Sequence, residues 1–209
     1  MPGPPDLWEV RRDWQMDYLL NTVGVAPEHY FLDYGCGPLR LGLPMIDYLD
    51  MGHYYGVDLD YRCIAAGINL LGDLRHKDPR LIHLPDVTMI RGSLQTGVRF
   101  DTAWAFSVII HCSLWLTGEI LRLMKVLVKP DGAFYSNVIV REDPALREEQ
   151  VGSKWNGFPV VCSTFAQYDK LAKRYGFVLE DEGILTSTLD DESWPGTEEA
   201  RMYKWTHEE

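Results

Sequence analysis

The sequence predicts a doubly wound α/β fold: a seven-stranded, mostly parallel sheet with helices on both faces and an antiparallel hairpin at its C-terminal edge. Three observations carry this. Short apolar runs alternate with segments of helical period through most of the 209 residues, the pattern of a parallel sheet built from crossover units. The first such run, Phe31-Leu32-Asp33-Tyr34, leads directly into Gly35-Cys36-Gly37-Pro38. About twenty residues on, Tyr54-Tyr55-Gly56-Val57 ends in the carboxylate of Asp58, the layout of a unit that binds a nucleoside at the carboxyl edge of the sheet.

The elements follow in order. Asp6-Leu7-Trp8-Glu9 reads as a capping box, and Trp8, Trp14, Tyr18 and Leu19 recur at helical spacing. A helix is expected over 7–21, ended near Gly24. Residues 29–34 are the first strand. A helix follows over 38–49, with Gly52 in a C′ position. Residues 54–57 form the second strand, and 61–71 a helix stopped by Gly72. The polar, proline-punctuated stretch 73–86 reads as loop. Residues 87–90 are the third strand and 100–106 the fourth. A helix over 114–128 is ended by Pro130, Asp131-Gly132 is a turn, and 133–140 is the fifth strand. Thr164-Phe165-Ala166-Gln167 is a second capping box, opening a helix that ends at Gly176. Residues 177–184 and 200–206 close the sheet as a hairpin. Residues 141–163 show no period and read as a lid or substrate insertion. The organisation expected is one domain, 1–209, with 1–28 as a helical cover.

Composition bounds the function. Hydrophobic residues make up 46% of the chain and charged ones 24%, as in soluble globular proteins. No apolar run approaches the ~18 residues of a membrane span. The start, Met1-Pro2-Gly3-Pro4-Pro5-Asp6, lacks the basic and apolar regions of a signal peptide, so a cytoplasmic protein without a membrane partner is expected. Cys36, Cys63, Cys112 and Cys162 form no C-x-x-C pair and read as reduced, mostly buried thiols. The formal net charge is −11, and the basic residues are scattered, with Arg11-Arg12 and Lys173-Arg174 the only adjacent pairs. Nucleic acid is therefore not the expected partner. No histidine has metal-ligand spacing, and no metal is expected.

Two glycines after a strand let a ligand approach the backbone, and Asp58 can accept hydrogen bonds from both hydroxyls of a ribose. The dinucleotide fingerprint needs a third glycine where Arg40 stands, and no Gly-Lys-Ser/Thr phosphate loop exists. A nucleoside without a diphosphate fits better.

Further motifs carry a resemblance. Leu32 to Pro38 resembles the first motif of the class I S-adenosylmethionine-dependent methyltransferases, and Tyr55-Gly56-Val57-Asp58 the second. Gly92-Ser93-Leu94 stands where that family meets the adenine. Phe100 to Ser107 resembles the fourth motif. Leu127 to Phe134 is similar to the motif after the following helix, and Tyr175-Gly176-Phe177 to the approach to the sixth strand. One departure is Leu39, where many members carry Gly or Ser. The resemblance implies a Rossmann-like fold, S-adenosylmethionine as cofactor and S-adenosylhomocysteine as product. It implies that Gly35, Cys36 and Gly37 line the methionine end through their backbone and that Asp33 orients that loop. Asp58 would hold the ribose, Leu59, Gly92, Ser93 and Leu94 would meet the adenine, and Phe106 and Ser107 would sit beside the sulfonium. Gln15 and Trp14 are either a closure over the cofactor or helix surface and core.

The reaction implied is in-line displacement at the methyl carbon. His111, just past the fourth strand, is the candidate general base; the other reading is a cap on the helix at Leu114. Trp115, Arg141, Trp155, Asn156 and Phe158 are candidate walls for a small-molecule acceptor, with Trp155 and Phe158 alternatively anchoring their loop. A protein methyltransferase and a cofactor-binding partner subunit without catalysis are the competing readings. The charge argues against RNA, and Arg40 against a nicotinamide reductase.

Overall fold

The computed structural model describes residues 8–84, 97–142, 150–152, 159–185 and 200–208. The expected strand 87–90, the Gly92-Ser93-Leu94 motif and Asp6-Leu7 of the first capping box lie outside them, as do Trp155, Asn156 and Phe158. The chain forms two compact units, residues 2–104 and 105–209.

In the first unit, helix α1 (Trp8–Asp17) buries Arg11 and Gln15. It runs on as a π-helical turn over Tyr18–Val23. Gly24, left-handed at φ 77, ends it. Strand β1 (Phe31–Tyr34) is buried along its whole length. It pairs in parallel with β2 (Tyr54–Asp58) on one side and β4 (Phe100–Ala105) on the other. Being central and parallel, it needs apolar residues on both faces, which is why it reads as a run rather than an alternation.

Helix α2 (Gly42–Tyr48) starts four residues later than the spacing predicts. The reason is Leu39, whose φ of 66 cannot continue a right-handed helix. Pro44 then falls in the first turn of α2, where a missing N–H costs nothing. Gly52 is not the C′ residue of α2, which ends at Tyr48. It occupies a later left-handed turn at φ 81, and its N–H reaches Lys77 O.

Helix α3 (Tyr61–Leu70) is capped by Asp60, whose side chain accepts from Arg62 N. A 3-10 turn over Gly72–Lys77 leads to β3 (Arg80–His83), which pairs in parallel with β2. This corrects the loop expected over 73–86: a strand with only Leu81 and Ile82 between Arg80 and His83 carries too little apolar signal to be read alone.

In the second unit, a 3-10 turn over Ile109–His111 precedes helix α4 (Leu114–Leu127). Strand β5 (Val128–Val140) begins five residues before the expected strand, and the backbone stays extended through Asp131-Gly132 instead of turning there. Strand β9 (Ala200–His207) lies antiparallel between β5 and β8 (Phe177–Ile184), the expected closing hairpin. The segment expected to be a lid contains two strands. One is β6 (Gln150–Gly152); the other, β7 (Pro159–Ser163), pairs in parallel with β5 and carries buried Val161, Cys162 and Ser163. Helix α5 (Phe165–Arg174) opens on the expected capping box, complete in both directions between Thr164 and Gln167. Tyr168, Tyr203, Trp205, Phe134 and Phe177 form the aromatic core here, mostly in edge-on contacts.

Candidate functional site

The strongest local constraints in the first unit converge on the turn after β1. Gly35 and Gly37 adopt left-handed conformations at φ 83 and 54. The Gly35 and Cys36 amides both donate to Val57 O, at 2.7 and 3.0 Å. The Gly37 amide donates to Asp58 Oδ2 at 2.8 Å, and the Asp60 amide to Asp58 Oδ1 at 2.8 Å. Asp58 therefore ties the glycine turn to the start of α3. A carboxylate offers about four acceptor positions, so two remain for a ligand. A Cβ built on Gly37 would meet nothing within 4 Å. The backbone there faces open space, as close approach of a ligand requires.

Beneath the turn lies Asp33, only 4% exposed. Its Oδ2 accepts from Tyr54 Oη at 2.7 Å. Burial pushes its carboxyl up to about 7; the Tyr54 bond opposes the shift, Asp58 adds to it and Arg40 offsets part of it. Arg40 is itself brought down to about 10, by burial and then by Arg11. Its guanidinium lies 5.9 Å from the Trp8 ring centre, a cation–π distance. The Cys36 thiol is buried and pushed well up by that burial and by Asp33, so it is unreactive.

Leu39 fills the space between α2 and α3. A Cβ on Gly42 would come within 2.7 Å of its Cδ2, and one on Gly67 within 2.7 Å of its Cγ. Two helical glycines thus make room for one leucine.

Leu59 is 53% exposed beside Asp58, and its carbonyl meets the His83 ring at 3.0 Å. Gln15 is committed to the core. Its Oε1 accepts from Trp104 Nε1 at 3.0 Å and its Nε2 donates to Arg11 O at 3.0 Å. Trp14 stacks on Tyr18 at 5.4 Å.

In the second unit, Phe106 is buried and Ser107 is left-handed at φ 60. The Ser107 amide donates to Asn137 Oδ1 at 2.6 Å. His111 ends the 3-10 turn, which packs against β5 and β7. It does not cap α4: the N-cap is Ser113, whose Oγ accepts from Leu116 N. Trp115 is 65% exposed, and the Arg141 amide donates to Ser163 O.

Three residues escaped the sequence reading. Tyr54 and Arg40 carry no spacing signal for their link to Asp33. Asn137 does carry one: Ser136-Asn137 interrupts an otherwise apolar strand, and both are fully buried. Among the described residues, no group of three His, Cys, Asp or Glu side chains could hold a metal ion, and no helix is long and apolar enough to cross a membrane.

No protein-family profile matches the sequence. Solved structures do match the fold. Magnesium protoporphyrin IX methyltransferase from Synechocystis PCC 6803, with bound SAM, aligns over 97% of this chain and 80% of its own, at 15% identity and a TM-score of 0.65. An S-adenosylmethionine-dependent methyltransferase from Clostridium acetobutylicum aligns over 100% of this chain and 94% of its own, at 12% identity and 0.63. The CcbJ methyltransferase from Streptomyces caelestis aligns over 98% and 97%, at 13% identity and 0.65. The chain therefore has the Rossmann-like α/β fold of the class I S-adenosylmethionine-dependent methyltransferases.

Proposed function

We propose that this chain is a methyltransferase that takes S-adenosylmethionine as cofactor and passes its methyl group to a small molecule. The observation that carries the reading is Asp58. It stands at the carboxyl end of β2, bonded to Gly37 N beside open space, with acceptor capacity to spare for two ribose hydroxyls. The glycine turn would hold the methionine end through its backbone, with Arg40 and Arg11 as the nearby cations for a carboxylate. Leu59, already exposed, would cover the adenine, and Gly92, Ser93 and Leu94 are the further candidates for that contact. S-adenosylmethionine, when bound, supplies a methyl group on a sulfonium, so catalysis rests mainly on positioning. Phe106 and Ser107 serve the sulfonium end. His111 takes the proton where the attacking atom is a hydroxyl or a similar acid. Trp115 and Arg141, with Trp155, Asn156 and Phe158, are the candidate residues for binding the acceptor. The acidic net charge of −11 disfavours a nucleic-acid acceptor. Four free cysteines, three of them buried, suit a cytoplasmic location.

S-adenosylmethionine and S-adenosylhomocysteine should raise the melting temperature, whereas NAD and ATP should not. Asp58→Ala should lose the shift, with affinity down about a hundredfold, because two charge-assisted hydrogen bonds go. No shift with either sulfur compound sinks the proposal. Labelled-methyl incorporation in a fractionated cell extract then separates the acceptors. Label in the small-molecule fraction is expected. Label in protein would replace that acceptor class, and cofactor binding with no label would make the chain a non-catalytic partner. His111→Ala should slow transfer with cofactor affinity intact.

A further inference from the structure

Ser107 and Asn137 form a pair that the proposed function leaves unexplained. Ser107 is one of only three left-handed residues other than glycine among the described residues. Outside glycine, that conformation costs about 1–2 kcal/mol, and strain of this kind persists only where the surroundings enforce it. The enforcing contact is the 2.6 Å hydrogen bond from the Ser107 amide to Asn137 Oδ1. The amide can only donate, which fixes the Asn137 side chain with its oxygen toward Ser107 and its nitrogen away.

Asn137 is fully buried in β5, and its Nδ2 has no hydrogen-bond partner among the described residues. A buried unpaired amide nitrogen is costly. Stability alone would favour an apolar residue on this strand. Strain at Ser107 and an uneconomical amide at Asn137 are independent features, joined by one bond. Such a combination marks a position kept for function rather than packing.

We propose that Asn137 is a positioning residue: its Oδ1 pins Ser107 in the left-handed conformation and so sets the backbone presented to the sulfonium. This rests on the methyltransferase reading, in which Ser107 serves the sulfonium end. Asn137 touches no reacting atom; it acts through Ser107.

The test compares two ligands that differ only at the sulfur, S-adenosylmethionine with its charged methylsulfonium and S-adenosylhomocysteine without it. Binding of each is measured by calorimetry on the full chain. Asn137→Leu keeps the branched side-chain shape and removes both the tether and the unpaired nitrogen. It should weaken S-adenosylmethionine about tenfold, the worth of one hydrogen bond, and S-adenosylhomocysteine less than about threefold. Ser107→Gly in that background should restore most of the lost affinity, because glycine adopts the left-handed conformation without a tether. Equal affinities in wild type and variant, equal loss for both ligands, or failure of the glycine to rescue would each overturn the proposal. Melting temperatures report whether Asn137→Leu folds. Should it not, Asn137→Ser, which is too short to reach the Ser107 amide, carries the same comparison. A wild-type chain that binds neither ligand refutes the methyltransferase reading instead, so the two failures are distinguishable.

Discussion

The turn after β1 and the turn after β4 both depend on left-handed backbone, yet they are held in different ways. The first has three such residues, Gly35, Gly37 and Leu39. Two are glycines, free to adopt the conformation, and the third is wedged by packing between Gly42 and Gly67. Its polar anchor is a carboxylate, Asp58, while buried Asp33, two residues before Gly35, is bonded to Tyr54. The second has one left-handed residue, Ser107, held by a neutral amide. The difference teaches that one conformational need has three chemical solutions: freedom, packing and tethering. Only freedom is written plainly in a sequence. The three solutions also answer differently to pH and to substitution.

The largest expected contrast is in pH. Asp33 has its carboxyl raised from an ordinary 3.8 to about 7 by burial. A group whose folded-state pKa lies above its unfolded value binds its proton more tightly when folded. The stability it lends is therefore complete below about pH 4 and is lost as pH rises through about 7. The full swing is about 4 kcal/mol. Asp33→Asn keeps an acceptor for Tyr54 and removes the titration. Urea unfolding at pH 5 and pH 8 should show the wild type losing stability relative to this variant. Parallel pH profiles would show that Asp33 does not titrate in this range. The neutral Asn137 anchor of the second turn should contribute nothing to the profile.

Next in size is the packing solution. Leu39→Gly relaxes the backbone but removes a fully buried side chain. The lost packing, about 2–5 kcal/mol for leucine truncation, outweighs the relief of about 1–2 kcal/mol. A net loss of about 2 kcal/mol is expected in denaturant unfolding. A gain in stability would mean that the strain exceeds the packing. Gly67→Ala attacks the same wedge from α3, where the new methyl would meet Leu39 Cγ at 2.7 Å. It should cost about 1–2 kcal/mol. In a Leu39→Ala background the same change should be neutral or favourable, since alanine is the better helix former. Additive effects of the two substitutions would break the link between Leu39 and the two helical glycines.

This contrast also explains what was legible in the sequence. Gly35, Gly37 and Asp58 announce themselves by type and spacing, and the structure joins Gly37 to Asp58 directly. The capping box at Thr164 and the closing strands at 177 and 200 were equally plain, because short-range chemistry fixes them. The late start of α2 was not, because it turns on Leu39, whose conformation is set by glycines three and twenty-eight positions away. Strands β3 and β7 were hidden for a related reason. Each is short, and its pairing is decided by the neighbouring strand rather than by its own period. Gln15 shows the same limit: nothing in α1 alone announces that its amide is taken by Trp104.

The smallest expected effect separates tethering from packing most cleanly. Ser107→Gly removes the backbone strain of the second turn and leaves the Asn137 bond in place, because that bond is to the backbone amide. The side chain lost is small, so little packing goes with it. Relief of strain is then set against the greater freedom that glycine has in the unfolded chain, about 0.5–1 kcal/mol. The two nearly cancel, and the net change should be a gain of less than about 1 kcal/mol. Leu39→Gly and Ser107→Gly thus both introduce glycine at a left-handed position, with opposite expected signs. Denaturant midpoints for the pair, measured side by side, decide the matter. A loss at Ser107 as large as that at Leu39 would mean that the second turn too is held by side-chain packing, and Asn137 would then be one contact among several rather than the tether.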